Sequence, residues 1–211
     1  MTHIVQGEYG AEGGDRMRRG GLRITPPVAV LLMGVILTDH SGVCAMTVLA
    51  AALHECGHLG AARVLHIPFG QMKLDFLGAR LEVRGRMLSY GEEWILASAG
   101  PLASLLGAAG GALLWNRSYY AQMFSCASLL LGLLNLLPIR SFDGGRMLEC
   151  TLSHFLATRV LQDVMRVISF LFLCILWMVA VYFLLKSGSG LSLFCFSMSL
   201  LSRFFEEDDL A

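Results

Sequence analysis

Residues 43–65 read VCAMTVLAAALHECGHLGAARVL, a run long and apolar enough to cross a bilayer. Its second half nevertheless holds His54, Glu55, His58 and Arg63. Ionisable groups at such depth are costly, so they point to function. His54-Glu55-Cys56-Gly57-His58 is the pattern His-Glu-x-x-His. On a helix, positions i and i+4 lie about 40° apart around the axis and one turn along it, so both imidazoles can reach one metal ion. Glu55, about 100° round from His54, can act on water at such an ion without being a ligand itself. The plain alternative is two buried histidines meeting by accident, and lipid makes that accident expensive because unpaired polar groups find no water there.

The rest of the 211-residue chain supports a membrane setting. It is 55% hydrophobic and 15% charged, with mean hydropathy +0.63, which excludes a disordered or nucleic-acid-binding chain and leaves an apolar excess that has to face lipid. The 16 basic and 16 acidic residues cancel, so the total charge carries no steering toward an anionic partner. Six cysteines, Cys44, Cys56, Cys126, Cys150, Cys174 and Cys195, lie far apart with no Cys-x-x-Cys pair, and read as buried thiols, not a disulfide framework.

The expected fold class is an α-helical polytopic membrane protein with about six transmembrane helices. The apolar runs are Pro26 to Leu37, Val43 to Leu65, Trp94 to Trp115, Ala121 to Ile139, Val160 to Leu185 and Leu191 to Leu201, the first and last being the shortest. The first run reads as a retained helix, since a long tail precedes it and no small-x-small cleavage site follows. Between the second and third helices, residues 66–91 alternate at period two around Gly78, the pattern of a small β-hairpin at the membrane surface. The expected organisation is a flexible cytoplasmic tail at 1–22, a membrane-embedded domain at 23–205 and an acidic end at 206–211. With the amino terminus inside, every Lys and Arg except Arg117 and Lys186 falls on the cytoplasmic flank of the six helices. Both termini and the mouth of the site are then cytoplasmic.

Two histidines do not complete a catalytic zinc site, which takes a third protein ligand and leaves one position open. The position where a metzincin has its third histidine is Val64. Glu82 has a spacing that a thermolysin-like enzyme could use, but it sits in the alternating segment and reads as a solvated strand charge. Asp143 is the stronger candidate. It follows the run ending Leu134-Asn135-Leu136-Leu137-Pro138, where the Pro138 break and Gly144-Gly145 let the backbone turn a carboxylate back into the bundle. Cys56 reads as a packing residue, His66 as a cap at the helix end, and His3, His40 and His154 have no partner spacing. Gly107 and Gly111, beside Ser104 and Ala108, have the small-x-x-x-small spacing of close helix packing.

Two motifs in this order, His-Glu-x-x-His and then Asn-x-x-Pro-x-x-x-x-Asp-Gly at Asn135, Pro138, Asp143 and Gly144, resemble the site-2 protease family of intramembrane zinc metalloproteases. Ala99-Gly100-Pro101-Leu102 is similar to that family's Gly-Pro element. The resemblance implies that His54, His58 and Asp143 bind Zn²⁺ and that Glu55 is the catalytic base. It also implies that Asn135 can hydrogen-bond the substrate backbone or the developing oxyanion, although an interhelical polar contact explains that residue equally well. It is similar in particular to the small stage IV sporulation protein FB-like members, which cleave a membrane-associated pro-sigma factor, and the chain is too short for the CBS or PDZ domains that relatives carry. The implied activity is endopeptidase cleavage in or near transmembrane segments, with a membrane-associated protein or peptide as substrate, the lipid bilayer as surroundings, a bacterial cell membrane as location and no nucleic acid as partner. Such a segment must unwind before its carbonyls can be attacked, and the hairpin at 70–88 can hold it as an added strand. A membrane zinc transporter or sensor would use the same ligands without hydrolysis. Glu55 separates the two, because a ligand cage has no need of a carboxylate that does not ligate.

Overall fold

The computed structural model describes residues 22–24, 39, 41–67, 69–75, 78–83, 88–187 and 191–208, with the side chains of the strands outside that description. The expected helix at Pro26 to Leu37 lies outside the described residues. In chain order the elements are β1 (Leu22–Ile24), α1 (Val43–Val64), β2 (Phe69–Asp75), β3 (Gly78–Val83), α2 (Tyr90–Leu113), α3 (Tyr119–Asn135), α4 (Asp143–Leu152), α5 (Thr158–Ser187) and α6 (Leu191–Asp208).

Three of these helices, α1, α2 and α5, are long and apolar enough to cross a membrane among the described residues. At about 1.5 Å per residue the 17 residues of α3 reach only about 25 Å, short of the hydrocarbon thickness. The apolar run that feeds α3 is longer than the helix, which ends at Asn135, four residues before the end of that run. Pro138 accounts for this, since it lacks an N–H and disfavours helical backbone in the residue before it. The chain instead turns through Leu137 N–H to Leu134 O (3.1 Å), Ile139 N–H to Leu137 O (2.8 Å) and Phe142 N–H to Ile139 O (2.8 Å), and a separate short helix, α4, begins at Asp143.

α2 starts at Tyr90, earlier than its apolar residues suggest, because Ser89 and Glu92 form a reciprocal cap. The Ser89 hydroxyl accepts from Glu92 N–H (3.3 Å) and the Glu92 carboxylate accepts from Ser89 N–H (3.0 Å). α1 ends with a left-handed residue, His66 at φ 51°, flanked by backbone bonds from His66 N–H to Arg63 O (3.2 Å) and Ile67 N–H to Ala62 O (3.0 Å). This delivers Ile67 into a small buried cluster with Ala62 and Leu96, tying the end of α1 to α2.

β2 and β3 pair antiparallel, with Asp75 opposite Gly78, and β1 joins β2 in parallel to make a sheet of order β1-β2-β3. The helical packing is close. α1 lies against both α2 and α3, α2 against α3 and α4, and α5 against α4 and α6. Small residues permit this: a Cβ on Gly57 would come within 2.7 Å of Ala103 Cβ, and one on Gly111 within 2.9 Å of Ser125 Cβ. A second buried cluster of Ile139, Phe142, Leu173, Leu176 and Leu200 packs the α3–α4 turn onto α5 and α6. Ser169 of α5 fastens the same turn by accepting from Arg140 N–H at 3.0 Å.

The six cysteines carry no disulfide, but they are not uniformly buried. Only Cys150 is in the core, while Cys56, Cys126 and Cys195 are exposed on helix surfaces. In a helix bundle with so much apolar exterior, a thiol within an apolar run can as readily face outward as inward.

Candidate metal centre

α2 organises the centre. On one face, separated by three or four residues, it carries Glu93, Leu96, Gly100 and Ser104, which at 100° per residue fall within an arc of about 80°. α1 lays His54 and His58 against this stripe, and the turn after α3 brings Asp143 to the same point from the other side. His54, His58 and Asp143 are 2%, 3% and 3% exposed, so the cluster is closed off from the surface.

The three donor atoms form a nearly equilateral triangle. His54 Nε2 lies 3.1 Å and His58 Nε2 3.3 Å from Asp143 Oδ2, and the two Nε2 atoms are 3.2 Å apart. Ligands held tetrahedrally at about 2.0–2.1 Å from one zinc ion would be separated by about 3.3 Å, so the donor set fits that ion in kind and in spacing. Nitrogen, nitrogen and carboxylate oxygen from three residues also leave a fourth position open. The rings meet edge to face, with centroids 4.9 Å apart and planes at 79°.

Each imidazole is fixed through its other nitrogen. His58 Nδ1 lies 2.8 Å from the Leu96 carbonyl oxygen, which can only accept, so Nδ1 carries the proton. In the neutral ring Nε2 then presents a lone pair to the centre. His54 Nδ1 is 2.9 Å from Ser104 Oγ, a fully buried hydroxyl that orients the ring. Gly100 lets the rings come this close, since any Cβ there would run into His58 Nε2 and would sit 2.8 Å from His54 Nε2. Gly144 and Gly145 do likewise at the start of α4, where a Cβ would strike the carbonyl oxygens of Leu136 and Ile139.

The structure therefore brings together three of the five residues singled out in the sequence. Glu55, on the next position of α1, is half-buried with its Oε2 shut off from the surface. Asn135, 7% exposed at the end of α3, uses its Nδ2 to bond Leu131 O of its own helix at 3.0 Å. Glu82 falls on β3, and its side chain lies outside the described residues. Cys56 is exposed and takes no part among the described groups that could share a metal. His154 bonds back to Cys150 O at 3.0 Å.

The motif reading gave Ser104 only a packing role beside Gly107 and Gly111, and it missed the Leu96 carbonyl and the pairing of Glu93 with Arg146. Ser104 stands out only when α2 is read at helical period from Gly100, which itself lies in the Gly-Pro element. The Leu96 carbonyl has no signal in the sequence, since any residue supplies one.

The model of peptidase family M50 matches residues 99–179, a stretch that takes in Gly100, Ser104, Asn135 and Asp143 but not His54 to His58. No curated protein matches the chain. Among solved structures, the site-2 protease from Methanocaldococcus jannaschii has the same fold, with a TM-score of 0.60 and 20% identity over 91% of this chain and 93% of that one. Sequence and fold thus resemble one family, the first over the central and later helices and the second over nearly the whole chain.

Proposed function

We propose that the chain is a zinc-dependent intramembrane endopeptidase of site-2 protease type, with His54, His58 and Asp143 as the metal ligands and Glu55 as the catalytic base. The observation that carries this reading is the buried triangle of Nε2, Nε2 and Oδ2 with edges of 3.1 to 3.3 Å, set among apolar helices with a carboxylate on the adjacent position of α1.

Zinc at this site would supply Lewis-acid chemistry, bringing the pKa of water down to about 7 and polarising the scissile carbonyl. The protein's own groups do the remainder. Glu55 takes the proton from the attacking water and returns it to the departing amide nitrogen, so the peptide C–N bond breaks as water adds across it. Leu96 O holds His58 in the tautomer that ligation needs, and Ser104 orients the ring of His54. In this scheme Asn135 would offer its amide to the substrate backbone or the oxyanion, with Leu131 O steadying it from its own helix.

Substrates are membrane-associated proteins or peptides. β3 has one strand neighbour among the described residues, so its other edge can take an unwound substrate segment by strand addition. The count of six membrane helices rests on the apolar runs, the cytoplasmic placement of both termini and the site's mouth on the uneven distribution of Lys and Arg, and the bacterial cell membrane on the family resemblance.

The test is co-expression of parent and Glu55→Gln with candidate single-span substrates, comparing product size and zinc content. The expected result is a shortened product with the parent, none with the variant, and zinc retained in both. Arg80→Pro and Glu82→Pro in β3 should lower turnover with zinc content unchanged. A parent that moves zinc across vesicles and cleaves no substrate would overturn the protease reading in favour of transport.

A further inference from the structure

Asp143 is the one member of the triangle that comes from a short helix of only ten residues, and it sits in the first turn with no side-chain cap beneath it. Something must set the depth and rotation of α4, because displacement of a ligand by about 1 Å is enough to spoil such a site. The backbone turn and the Ser169 bond to Arg140 fix the approach to α4 from below. From the side, an ion pair to α2 contributes to this. Arg146 Nη2 lies 2.9 Å from Glu93 Oε1 of α2, with the two side chains 14% and 32% exposed.

The placement of this pair is what gives it meaning. Arg146 stands one turn beyond Asp143, about 60° round α4, so the two side chains leave neighbouring parts of one face, Arg146 reaching Glu93 of α2 and Asp143 the imidazoles of α1. Glu93 stands one turn before Leu96 on the stripe that continues through Gly100 to Ser104. The stripe thus touches two corners of the triangle and bears on the third through α4: Leu96 O holds His58, Ser104 holds His54, and Glu93 holds the helix that carries Asp143. A partly buried guanidinium–carboxylate pair resists rotation better than an apolar contact, because the geometry of its hydrogen bonds is directional.

Building on the metal reading above, we infer that Glu93 and Arg146 are positioning residues for Asp143, and that α2 is thereby the common template for all three ligands. The pair does not touch the metal or the substrate. It acts by keeping Asp143 Oδ2 at equal reach of both imidazoles.

The experiment uses the full-length protein in detergent, with Glu93→Gln, Arg146→Gln and the charge-swapped pair Glu93→Arg/Arg146→Glu. Zinc affinity by chelator competition should fall about 10- to 100-fold in each single variant, the range for lost orienting partners, and the swap should recover most of that loss. Glu93→Gln preserves shape, so it separates orientation from folding. If it lowers the melting temperature while zinc affinity stays at the parent value, the pair is merely structural and the inference is wrong. A folded swap that binds no better than the single variants is equally adverse. Should the parent hold no stoichiometric zinc, the metal reading itself fails, and ¹⁵N-histidine spectra of the zinc-free protein decide the positioning claim. There Glu93→Gln should shift the ring resonances of His54 and His58 and the swap should return them, whereas unmoved resonances overturn it.

Discussion

The Nδ1 of His58 and the carbonyl oxygen of Leu96 lie 2.8 Å apart, and through this bond α2, which supplies none of the three clustered donor atoms, fixes the tautomer of a histidine on α1. The same helix holds the His54 ring by a side chain, Ser104, whose hydroxyl lies 2.9 Å from Nδ1. The centre therefore belongs to the α1–α2 interface as a whole, and its energetics are open to substitutions on α2.

Ser104→Ala removes the partner of His54 Nδ1 and leaves a buried ring nitrogen unsatisfied. Zinc affinity should drop about 10-fold or more, as is usual when an orienting hydrogen bond to a ligand histidine is deleted. Chelator competition measures it. The helix content by circular dichroism should not change, since alanine is a good helix former.

Gly100→Ala should have a far larger effect from a smaller chemical change. The added methyl would occupy space held by His58 Nε2, so the rings must separate or α1 must move away from α2. Zinc binding and proteolysis should both be lost. Gly110→Ala is the matched control on the same helix, because a Cβ there meets nothing within 4 Å, and it should bind zinc as the parent does.

These positions also mark what could and could not be read from the sequence. The clustering of His54, His58 and Asp143 was legible because each member leaves a local trace: two histidines one turn apart, and a carboxylate after a proline break. The helices were legible from apolar runs, though their ends were not. α2 begins at Tyr90 because of the Ser89–Glu92 cap, and α3 stops short at Asn135 because Pro138 acts ahead of itself. The partnership of Glu93 with Arg146 spans 53 residues and depends on how α4 packs against α2, and no local pattern encodes that. The addition of Leu22–Ile24 to the hairpin as a parallel strand is likewise a long-range pairing, invisible to a period-two reading of residues 66–91.

Cys150 offers a chemical probe of the same region. Burial, with the nearby charge of Glu93 adding to it, pushes its thiol up to about 11. The thiolate is the reactive form, so at pH 7.5 Cys150 should resist maleimide in the folded protein, and its labelling should quicken only as pH climbs toward 11. Quantitative mass spectrometry of alkylated peptides gives the comparison with exposed Cys126 and Cys195. Labelling of Cys150 at the rate of a free thiol at pH 7.5 would contradict the packing of α4 described above.

His66 holds a left-handed backbone at φ 51°, the conformation that closes α1 through the bonds to Arg63 O and Ala62 O. Its side chain is exposed, so the position asks for backbone freedom and nothing from the imidazole. A residue with a Cβ is strained there and glycine is not, which is why glycine dominates such helix ends. His66→Gly should therefore stabilise the protein by about 1 kcal/mol, a rise in melting temperature of a few degrees. His66→Val, whose branched Cβ tolerates this region least, should lower it. Zinc affinity should be the same in both, because the strain lies two turns beyond His58 and the helix between them keeps its hydrogen bonds. A loss of stability in the glycine variant would mean that the imidazole itself makes a contact that holds the end of α1.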